Sequence, residues 1–510
     1  MQPLGCAYPW IPDQRDGTYR NPVLCADYSD PDVVRVGDDF YLTASSFNCT
    51  PGLPILHSRD LVNWSIIAYA IDHVPGEQYN QPQPGCGVWA PAIRHHAGKF
   101  WIFFPTPDEG IYVITAHDPR GPWSEPHLML AGKGLIDPCP LWDDDGRAYL
   151  VHAYARSRSG IKHRLRVGPM EPDGSRILGE GKVVYDNEQV HPTLEGPKFH
   201  KRNGWYYISA PAGGVATGWQ VIFRSRDVYG PYEDKIVLVQ RETPINGPHQ
   251  GALIDTPAGS EWWFLHFQEH QPYGRIVHLQ PVTWEHDWPL IGVNQDANGV
   301  GEPVMRHRKP RVLRAGQIIA PATSDEFDAA SLGLQWQWQA NFDRAWGSLT
   351  DRPGWLRLTA HHVDGGELEK APNLLLQKLP AESFTFETKL DWSSLPQDSR
   401  AGLVMMGKSH AALLVQRDEH GDRLSLLIDN QAVASGPLPP TKLLRLRVTV
   451  QPGGLCRFAH AGVEGEFRDI GREFQAVEGH WIGAKIGIFC LSACAKPVRG
   501  HAEFDYARFS

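Results

Sequence analysis

Short hydrophobic runs bounded by glycine, proline or aspartate recur along this chain of 510 residues, whereas helical periodicity is scarce. In five places a turn glycine is followed by a short aromatic strand: Gly37 (GDDFYL), Gly98 (GKFWI), Gly146 (GRAYLV), Gly204 (GWYYI) and Gly259 (GSEWWFL). Successive glycines of this set are 61, 48, 58 and 55 residues apart. This spacing is typical of β-propeller blades, and the pattern predicts a five-bladed β-propeller.

A residue suited to chemistry or binding lies seven to ten positions upstream of each of these glycines: Asp30, Trp89, Asp137, Glu195 and His249. If the blades are equivalent, these five positions occupy equivalent depths on the innermost strands and converge on one axis. Three of the five are carboxylic acids. The sequence therefore predicts an active site at the propeller axis.

A different β pattern follows the propeller. Phe384, Phe386, Thr388, Leu390 and Trp392 alternate with polar residues, which indicates half-buried antiparallel strands. The closing AEFDYARF also resembles the SDEFD that opens this region, so we expect the first and last strands to pair. We predict an all-β protein with a propeller over 1–301, a connection over 302–323 and a β-sandwich over 324–510.

The composition limits the classes of binding partner and the cellular compartment that we expect for this protein. A formal net charge of −9 disfavours a polyanionic partner such as nucleic acid, and we interpret the basic run 306–314 as a solvated connection. There is no run of 18 apolar residues, so we expect no membrane span. The eight cysteines lack zinc-site spacing, and the N-terminus does not have the pattern of a signal peptide. We expect a cytoplasmic protein, unless a native signal was removed.

Three acids at one axial register suggest glycoside hydrolysis. That reaction needs one carboxylic acid to protonate the leaving oxygen and one carboxylate to activate water or attack carbon. A third acid can raise the pKa of the proton donor by like-charge repulsion. Any one of these acids alone is more often a turn or capping residue, but the shared register disfavours that reading for all three.

The motifs SDPDVVRVGDDFYLTASSF, GVWAPAIRHHAGKFW, LIDPCPLWDDDGRAYL and TLEGPKFHKRNGWYYI resemble glycoside hydrolase family 43, a family of β-xylosidases and α-L-arabinofuranosidases with a five-bladed propeller. Residues 324–510 resemble the concanavalin-A-like sandwich, or jelly roll, often appended to its β-xylosidases. The family inverts configuration. The resemblance implies that Asp30 is the general base, Glu195 the general acid, and Asp137 the residue that orients the acid and tunes its pKa.

The resemblance also implies binding residues. Arg275, in YGRIVHLQP, matches an arginine of the sugar subsite, where it can hold two hydroxyls or the Asp30 carboxylate. Phe47 and Trp89 match its aromatic walls. Trp219 and the Gly213-Gly214 pair could line the pocket mouth, although core packing and a tight turn explain them equally well.

His249 has two interpretations. A lone histidine in a β-rich core is ordinarily a buried imidazole with a hydrogen-bond partner. In the family, a histidine of this motif lies beside a hydrated divalent cation, usually Ca²⁺, at the propeller centre. One histidine plus water is an unusual calcium site, because calcium prefers six to eight oxygen ligands.

The leading hypothesis is an exo-acting β-1,4-xylosidase that releases terminal xylose from xylo-oligosaccharides. We rank this activity first because the chain has the sandwich that resembles the one appended to the family's β-xylosidases. An α-L-arabinofuranosidase or a bifunctional enzyme is the close alternative, because the two sugars present similar hydroxyl patterns. The chain lacks the motifs of fructan-acting propellers, which disfavours that activity. A non-catalytic carbohydrate-binding propeller would not explain why three acids occupy the same register.

Three further expectations concern geometry and assembly. An inverting enzyme must fit a water between base and sugar, so the Asp30 and Glu195 carboxyls should lie roughly 6.5–9.5 Å apart. The sandwich should support the propeller and lend a loop to the pocket rim, for instance Cys490 to Lys496. We also allow for a homo-oligomer.

Overall fold

The computed structural model describes residues 8–257, 259, 261–314, 316–494 and 499–510. Five four-stranded antiparallel sheets form the propeller, and two eight-stranded sheets form the sandwich. The predicted fold class is therefore confirmed. Within the described ranges no helix is both long and apolar enough to cross a membrane.

Each propeller blade consists of four strands that are consecutive in the chain. The first three blades are β2 (Asp32–Val36), β3 (Asp39–Thr43), β4 (Gly52–Ser58), β5 (Ser65–Ile71); β6 (Ala92–His96), β7 (Lys99–Thr106), β8 (Gly110–Ala116), β9 (His127–Ala131); β10 (Leu135–Trp142), β11 (Ala148–Tyr154), β12 (Arg164–Met170), β13 (Lys182–Asp186). The last two are β14 (Lys198–Arg202), β15 (Trp205–Ala212), β16 (Trp219–Ser225), β17 (Glu233–Leu238); β18 (His249–Asp255), β19 (Trp262–His270), β20 (Gly274–Glu285), β21 (Trp288–Ile291). A short helix, α1 (Arg156–Ser159), and a 3-10 turn (Glu77–Asn80) lie in connections between strands.

The first strand of a blade is its innermost one. Strands β2, β6, β10 and β14 contact one another in sequence, and β18 contacts β2. The turn glycines of the sequence pattern lie in the hairpins that follow these strands, where each has a left-handed φ, as at Gly37 (φ 64°). This arrangement explains why residues seven to ten positions upstream of the glycines reach one axis.

The chain ends of the propeller are joined outside the blades. Strand β1 (Thr18–Arg20) pairs with β22 (Arg306–Arg308), and Leu24 forms a bridge with Val277 of β20. The basic run that contains β22 forms ion pairs with acidic residues of the propeller: Lys309 lies 2.7 Å from Asp13, and Arg308 lies 2.9 Å from Glu261. The N-terminal segment thus helps to close the ring.

The sandwich buries its core between two sheets. One sheet contains β23 (Gln337–Trp338), β26 (His361–His362), β27 (Leu375–Lys378), β29 (Ser399–Met406), β30 (Ala411–Asp418), β31 (Gly421–Ile428), β32 (Gln431–Gly436) and β37 (Lys485–Ser492). The other contains β24 (Gly347–Ser348), β25 (Leu356–Thr359), β28 (Phe384–Asp391), β33 (Leu443–Gln451), β34 (Leu455–Ala461), β35 (Arg468–Asp469), β36 (Phe474–Gln475) and β38 (His501–Phe509). Three further 3-10 turns are Arg344–Trp346, Asp364–Gly366 and Leu368–Lys370.

The alternation read from the sequence is visible in this core. Along β28 every second residue is buried, beginning with Phe384 and Phe386. Asp325 forms an antiparallel bridge with Ala507, so the first and last segments of the sandwich do pair. The period-2 pattern therefore identified the strands that face the opposite sheet.

The two domains are joined through main-chain hydrogen bonds. Thr50 and Trp338 form a bridge, Asn341 N donates to Tyr79 O at 2.8 Å, and Ala484 N donates to Pro272 O at 2.8 Å. Tyr273 of the propeller is buried within the core cluster of the sandwich. The sandwich is therefore packed directly against the propeller.

Candidate active site

A pocket of about 510 Å³ lies at the ends of the innermost strands and contains all three predicted acids. Its lining also includes Phe47, Trp89 and Arg275, three of the four predicted binding residues. The remaining lining residues are Ala90, Ile136, Tyr154, Ala155, Arg156, Ser157, Lys162, Thr193, Gly214, Val215, Gln250 and Trp481. The structure therefore brings together the acids that the five-fold pattern selected.

Asp30 precedes the first blade and is held by three donors. Its backbone has φ 54°, a left-handed conformation that aspartate tolerates better than most residues. The hydroxyls of Ser29 and Ser45 donate to Oδ2 at 2.7 Å and 2.6 Å. Arg275 Nη1 donates to Oδ1 at 3.0 Å. These bonds fix the orientation of a carboxylate that is only 5% exposed.

Arg275 lies on β20 of the fifth blade. Besides Asp30, its Nη1 donates to Ser29 Oγ at 2.8 Å, and its guanidinium lies over the Phe267 ring at 4.8 Å. Its backbone N–H donates to Asp27 Oδ1 at 2.9 Å. Of the two roles that the sequence allowed, the structure shows the contact with the Asp30 carboxylate.

Asp137 lies at a β-bulge in β10, where the pairing with β11 shifts between Ile136 and Cys139. Its backbone has φ 55°, and the bulge turns its side chain toward the axis. Oδ2 accepts a hydrogen bond from Gly196 N at 2.8 Å. Burial, followed by the Glu195 carboxylate, raises the pKa of Asp137 to about 7.

Glu195 contacts His249 across two blades: Glu195 Oε1 lies 3.2 Å from His249 Nε2. The Glu195 side chain is 27% exposed, whereas that of His249 is 1% exposed. Burial favours the neutral form of Glu195, but the hydrogen bond and charge of His249 outweigh it and lower the pKa of Glu195. The pKa of Asp137 is therefore raised and that of its neighbour Glu195 lowered, whereas the sequence-based expectation was a raised pKa for Glu195.

The two aromatic walls are held by the backbone. Phe47 N donates to Val88 O at 2.9 Å and Val88 N donates back to Phe47 O at 3.0 Å. Trp89 Nε1 donates to Gly85 O at 3.2 Å, and the Phe47 and Trp89 ring centroids lie 6.3 Å apart. The wall is therefore shared between the first two blades.

Trp481 belongs to the sandwich and yet lines this pocket. It is 46% exposed and follows His480, whose ring packs on Gly85: a Cβ at Gly85 would meet it at 2.1 Å. Gly483 N of the same loop donates to Asp27 Oδ2 at 3.0 Å. One buried carboxylate thus connects this loop to the backbone of Arg275.

The geometry agrees with comparisons to known proteins. A family model described as glycosyl hydrolases family 43 matches residues 19–289, and one described as the beta xylosidase C-terminal concanavalin A-like domain matches residues 324–510. The chain belongs to glycosyl hydrolase family 43. It is a glycoside hydrolase.

Relatives of this family-43 hydrolase match it over nearly its whole length. A protein of Xylanibacter ruminicola named "Putative beta-xylosidase" is 43% identical over 488 residues, which cover 94% of this chain and 87% of that protein. A "Beta-xylosidase" of Formosa agariphila is 33% identical and covers 97% of this chain and 90% of its own. The crystal structure of the GH43 protein BlXynB from Bacillus licheniformis superposes with a TM-score of 0.83 at 26% identity, covering 96% and 99% of the two chains.

Two sequence-based placements differ from the structure of the hydrolase. Trp219 is not among the described residues that line the pocket; its Nε1 lies 3.5 Å from His191 Nδ1, and its ring packs over Gly213. Gly214 does line the pocket. Of the proposed rim loop, Cys490 is buried in β37, and 495 and 496 lie outside the described residues. Trp481 is a sandwich residue that does line the pocket, whereas the residues of β37 are all buried.

Several site residues were missed from sequence. Ser29 and Ser45 bind Asp30, and Asp27 supports Arg275. Ser29 and Asp27 stand next to the acid motif, so their proximity was a usable signal. Ser45 approaches through the pairing of β2 with β3, which the hairpin pattern could have indicated.

The residues around His249 do not by themselves form a calcium site. In the described part of the chain, no group of three or more His, Cys, Asp or Glu side chains is arranged to hold a metal ion. His249 Nε2 faces Glu195, and its buried Nδ1 has no hydrogen-bond partner among the residues that the structure describes. One nitrogen does not fit an ion that takes six to eight oxygens.

Proposed function

We propose that this family-43 hydrolase releases terminal β-D-xylose from xylo-oligosaccharides with inversion, as a xylan 1,4-β-xylosidase. The observation that carries the proposal is one pocket that holds Asp30, oriented by Arg275, together with Glu195 and Asp137, whose pKa is raised by burial and by Glu195. Two relatives named as β-xylosidases, similar over both domains, support the choice of sugar.

Asp30 is the proposed general base. Its two oxygens already accept three hydrogen bonds, from Ser29, Ser45 and Arg275. These bonds prevent the carboxylate from rotating, so a free lone pair can be directed at a water poised below the anomeric carbon. Asp30 removes a proton from that water while the water oxygen attacks the anomeric carbon. The product sugar therefore has inverted configuration.

Glu195 is the proposed general acid, although Asp137 carries the raised pKa. The two carboxyls titrate as a pair, so the proton belongs to the pair and not to one residue. Glu195 is the more exposed member, with 27% of its side chain accessible against 4% for Asp137 as a residue. The proton therefore reaches the glycosidic oxygen through Glu195, and Asp137 acts as its reservoir.

Asp137 also positions the acid. It accepts a hydrogen bond from the amide of Gly196, the residue directly after Glu195. Any shift of the Asp137 carboxylate therefore moves the peptide that carries the acid. Gly196 has φ 59°, and a Cβ there would meet Gln250 at 2.8 Å, so this peptide is tightly placed.

The sugar and the stereochemistry are tested together. We expect faster hydrolysis of 4-nitrophenyl β-D-xylopyranoside than of the α-L-arabinofuranoside, and NMR of the first turnovers should show α-xylose. A preference of about tenfold or more for the arabinofuranoside would reverse the order of the two activities. Initial formation of β-xylose would exclude inversion.

Three further expectations stay predictions. Metal analysis of the purified protein tests the calcium ion expected beside His249, and a stoichiometric content would require ligands beyond the described side chains. Sedimentation of the protein in solution tests the homo-oligomer. Fractionation of the native host tests the cytoplasmic location.

A further inference from the structure

A buried lysine of the sandwich points at a buried thiol of the propeller. Lys485 Nζ lies 2.9 Å from Cys49 Sγ and 3.5 Å from Gln337 Oε1. Lys485 is 5% exposed and Cys49 is 3% exposed. In the portion of the chain that the structure describes, no carboxylate forms an ion pair with this ammonium group. The thiol is therefore the acidic group in contact with it.

Cys49 is held in place from both sides. Asn48 Nδ2 donates to the carbonyl of Gln339, and Thr50 Oγ1 donates to the carbonyl of Ala340. The main chains of Thr50 and Trp338 also exchange two hydrogen bonds, at 3.1 Å and 2.6 Å. The sulfur is thus fixed against Lys485 by the junction between the domains.

The groups around Cys49 are positively charged. Burying an ammonium group without a partner is unfavourable, and the contact with the sulfur partly offsets this cost. A second amine is close by: burial, followed by Lys485, lowers the pKa of Lys378 to about 8, with Asp27 and Cys49 acting in the opposite direction. Cys49 therefore faces a cationic environment, which is the setting of reactive thiols.

Cys49 differs from the other cysteines. Cys139 also lies beside a cation, with Arg94 Nη2 2.8 Å from its Sγ, but burial raises the pKa of this thiol against the effect of Arg94, and a guanidinium is not a nucleophile. Burial raises the pKa of the Cys25, Cys456 and Cys490 thiols to about 12. Burial and Asp108 also raise the pKa of Cys86, against the opposing effect of Arg158. Buried thiols of high pKa react slowly, so oxidation should be selective.

A small oxidant can reach the pair through a second cavity. This cavity has a volume of about 280 Å³ and is lined by both Cys49 and Lys485. Gly479, His480, Ile482 and Gly483 also line it, whereas Trp481 of the same loop lines the active-site pocket. The two cavities therefore lie on opposite faces of one loop.

We propose that Cys49 is a peroxide-reactive thiol and that Lys485 captures its oxidised form in a sulfur–nitrogen bond joining the two domains. The thiolate attacks one oxygen of hydrogen peroxide, the O–O bond breaks, and the released hydroxide takes the Lys485 ammonium proton to form water. The Lys485 nitrogen then attacks the sulfenic sulfur, the S–O bond breaks, and the oxygen leaves as water with an amine proton. Sulfur is oxidised by two electrons and one peroxide is reduced.

The bond would connect two segments, one from each domain, that lie close to residues of the active site. Cys49 is two residues from Phe47, a wall of the pocket, and Lys485 is two residues from Gly483, which binds Asp27. A covalent link here holds the loop that carries Trp481 against the segment that carries Phe47. It also prevents the sandwich from separating from the propeller during unfolding.

The test treats the full-length protein with stoichiometric hydrogen peroxide and measures mass and thermal stability. The expected product is about 2 Da lighter than the reduced protein, gives one linked peptide pair containing Cys49 and Lys485, and reverts with dithiothreitol. Its Tm should exceed that of the reduced protein, and the substitution Cys86→Ser should leave the link unchanged.

Variants separate the two steps. In Lys485→Arg the cation remains beside the thiol but the amine nucleophile is lost, so Cys49 should accumulate as a sulfenic acid that dimedone traps. In Cys49→Ser neither product should form. The proposal is overturned if peroxide modifies the other cysteines before Cys49, or if the linked peptides are about 14 Da heavier, because that product retains an oxygen between sulfur and nitrogen. The peptide map of the wild-type protein decides this even if a variant fails to fold.

Discussion

Glu195 Oε1 lies 3.2 Å from His249 Nε2, a contact that joins the fourth and fifth blades beneath the sugar pocket. His249 lowers the pKa of Glu195, while Asp137, buried next to Glu195, has its pKa raised to about 7. The histidine therefore favours the ionised form of Glu195. A residue that sequence patterns suggested as a metal neighbour contacts the acid directly.

Replacing His249 should change the pH profile of the hydrolase. In His249→Phe the group that lowers the pKa of Glu195 is gone, so the carboxyl pair should bind its proton more tightly. The alkaline limb of kcat/KM should therefore move to higher pH. His249→Gln, whose amide can still donate, should shift it less. An unchanged alkaline limb in His249→Phe would show that the contact does not tune the acid.

Asp137→Asn should alter stability in a pH-dependent way. The folded pKa of Asp137, about 7, lies above its ordinary value of 3.8, so the native state retains a proton that the unfolded chain releases first. Below pH 4 this group has no effect on stability, and between pH 4 and 7 it destabilises the wild type progressively as pH rises. The variant should therefore become more stable than wild type as pH rises from 4 to 7, and should keep that advantage at pH 8.

Urea denaturation of both proteins across this pH range measures the difference. Asp143→Asn is a control of opposite sign, because Lys201 and Tyr206 lower the pKa of Asp143 against the effect of burial. That variant should lose stability above pH 4, where the wild-type carboxylate is ionised in both states and favoured in the folded one. A flat difference between Asp137→Asn and wild type would contradict the raised pKa.

The sequence predicts the residues of this site whose positions depend on local strand geometry, but not those whose positions depend on packing between blades or domains. Asp30, Asp137 and Glu195 were found because a turn glycine fixes the distance from each inner strand to its hairpin. Trp481 could not be found in that way, since its position depends on the packing of one domain on another. The raised pKa of Asp137 could not be found in that way either, because it depends on burial and on the approach of a side chain from another blade.

Leaving-group dependence should distinguish the two catalytic carboxyls. Glu195→Gln cannot protonate the departing oxygen, so kcat for xylobiose should fall by about 10²–10⁴-fold, with a smaller loss for a dinitrophenyl xyloside, whose leaving group needs no proton. Asp30→Asn should slow both substrates alike, because water activation is needed in each case. A variant at Glu195 that keeps full activity would support a sugar-binding propeller instead. A carboxyl separation near 5 Å in a crystal structure would favour a retaining mechanism.

The sandwich should contribute to substrate binding through Trp481. Its ring is 46% exposed at the pocket rim, where a sugar beyond the cleaved bond can pack on it. Trp481→Ala should raise KM for xylotriose by about three- to tenfold and change kcat little, which corresponds to about 1 kcal/mol of aromatic contact. Because 4-nitrophenyl xyloside has a smaller leaving group, its KM should change less.

Deleting residues 324–510 should have a larger effect than Trp481→Ala. The truncated propeller would expose Tyr273, which is 1% accessible in the intact chain, and would leave Asp27 without its partner Gly483. Because Asp27 also holds the backbone of Arg275, and Arg275 holds Asp30, loss of the sandwich should disturb the base as well as the rim. We expect a lower Tm, a higher KM and a reduced kcat. The comparison with Trp481→Ala separates the rim contact from the support of Arg275 and Asp30, since the point variant removes the rim contact alone. A truncated protein that matches the intact enzyme in Tm and kcat would instead identify the sandwich as an independent carbohydrate-binding module.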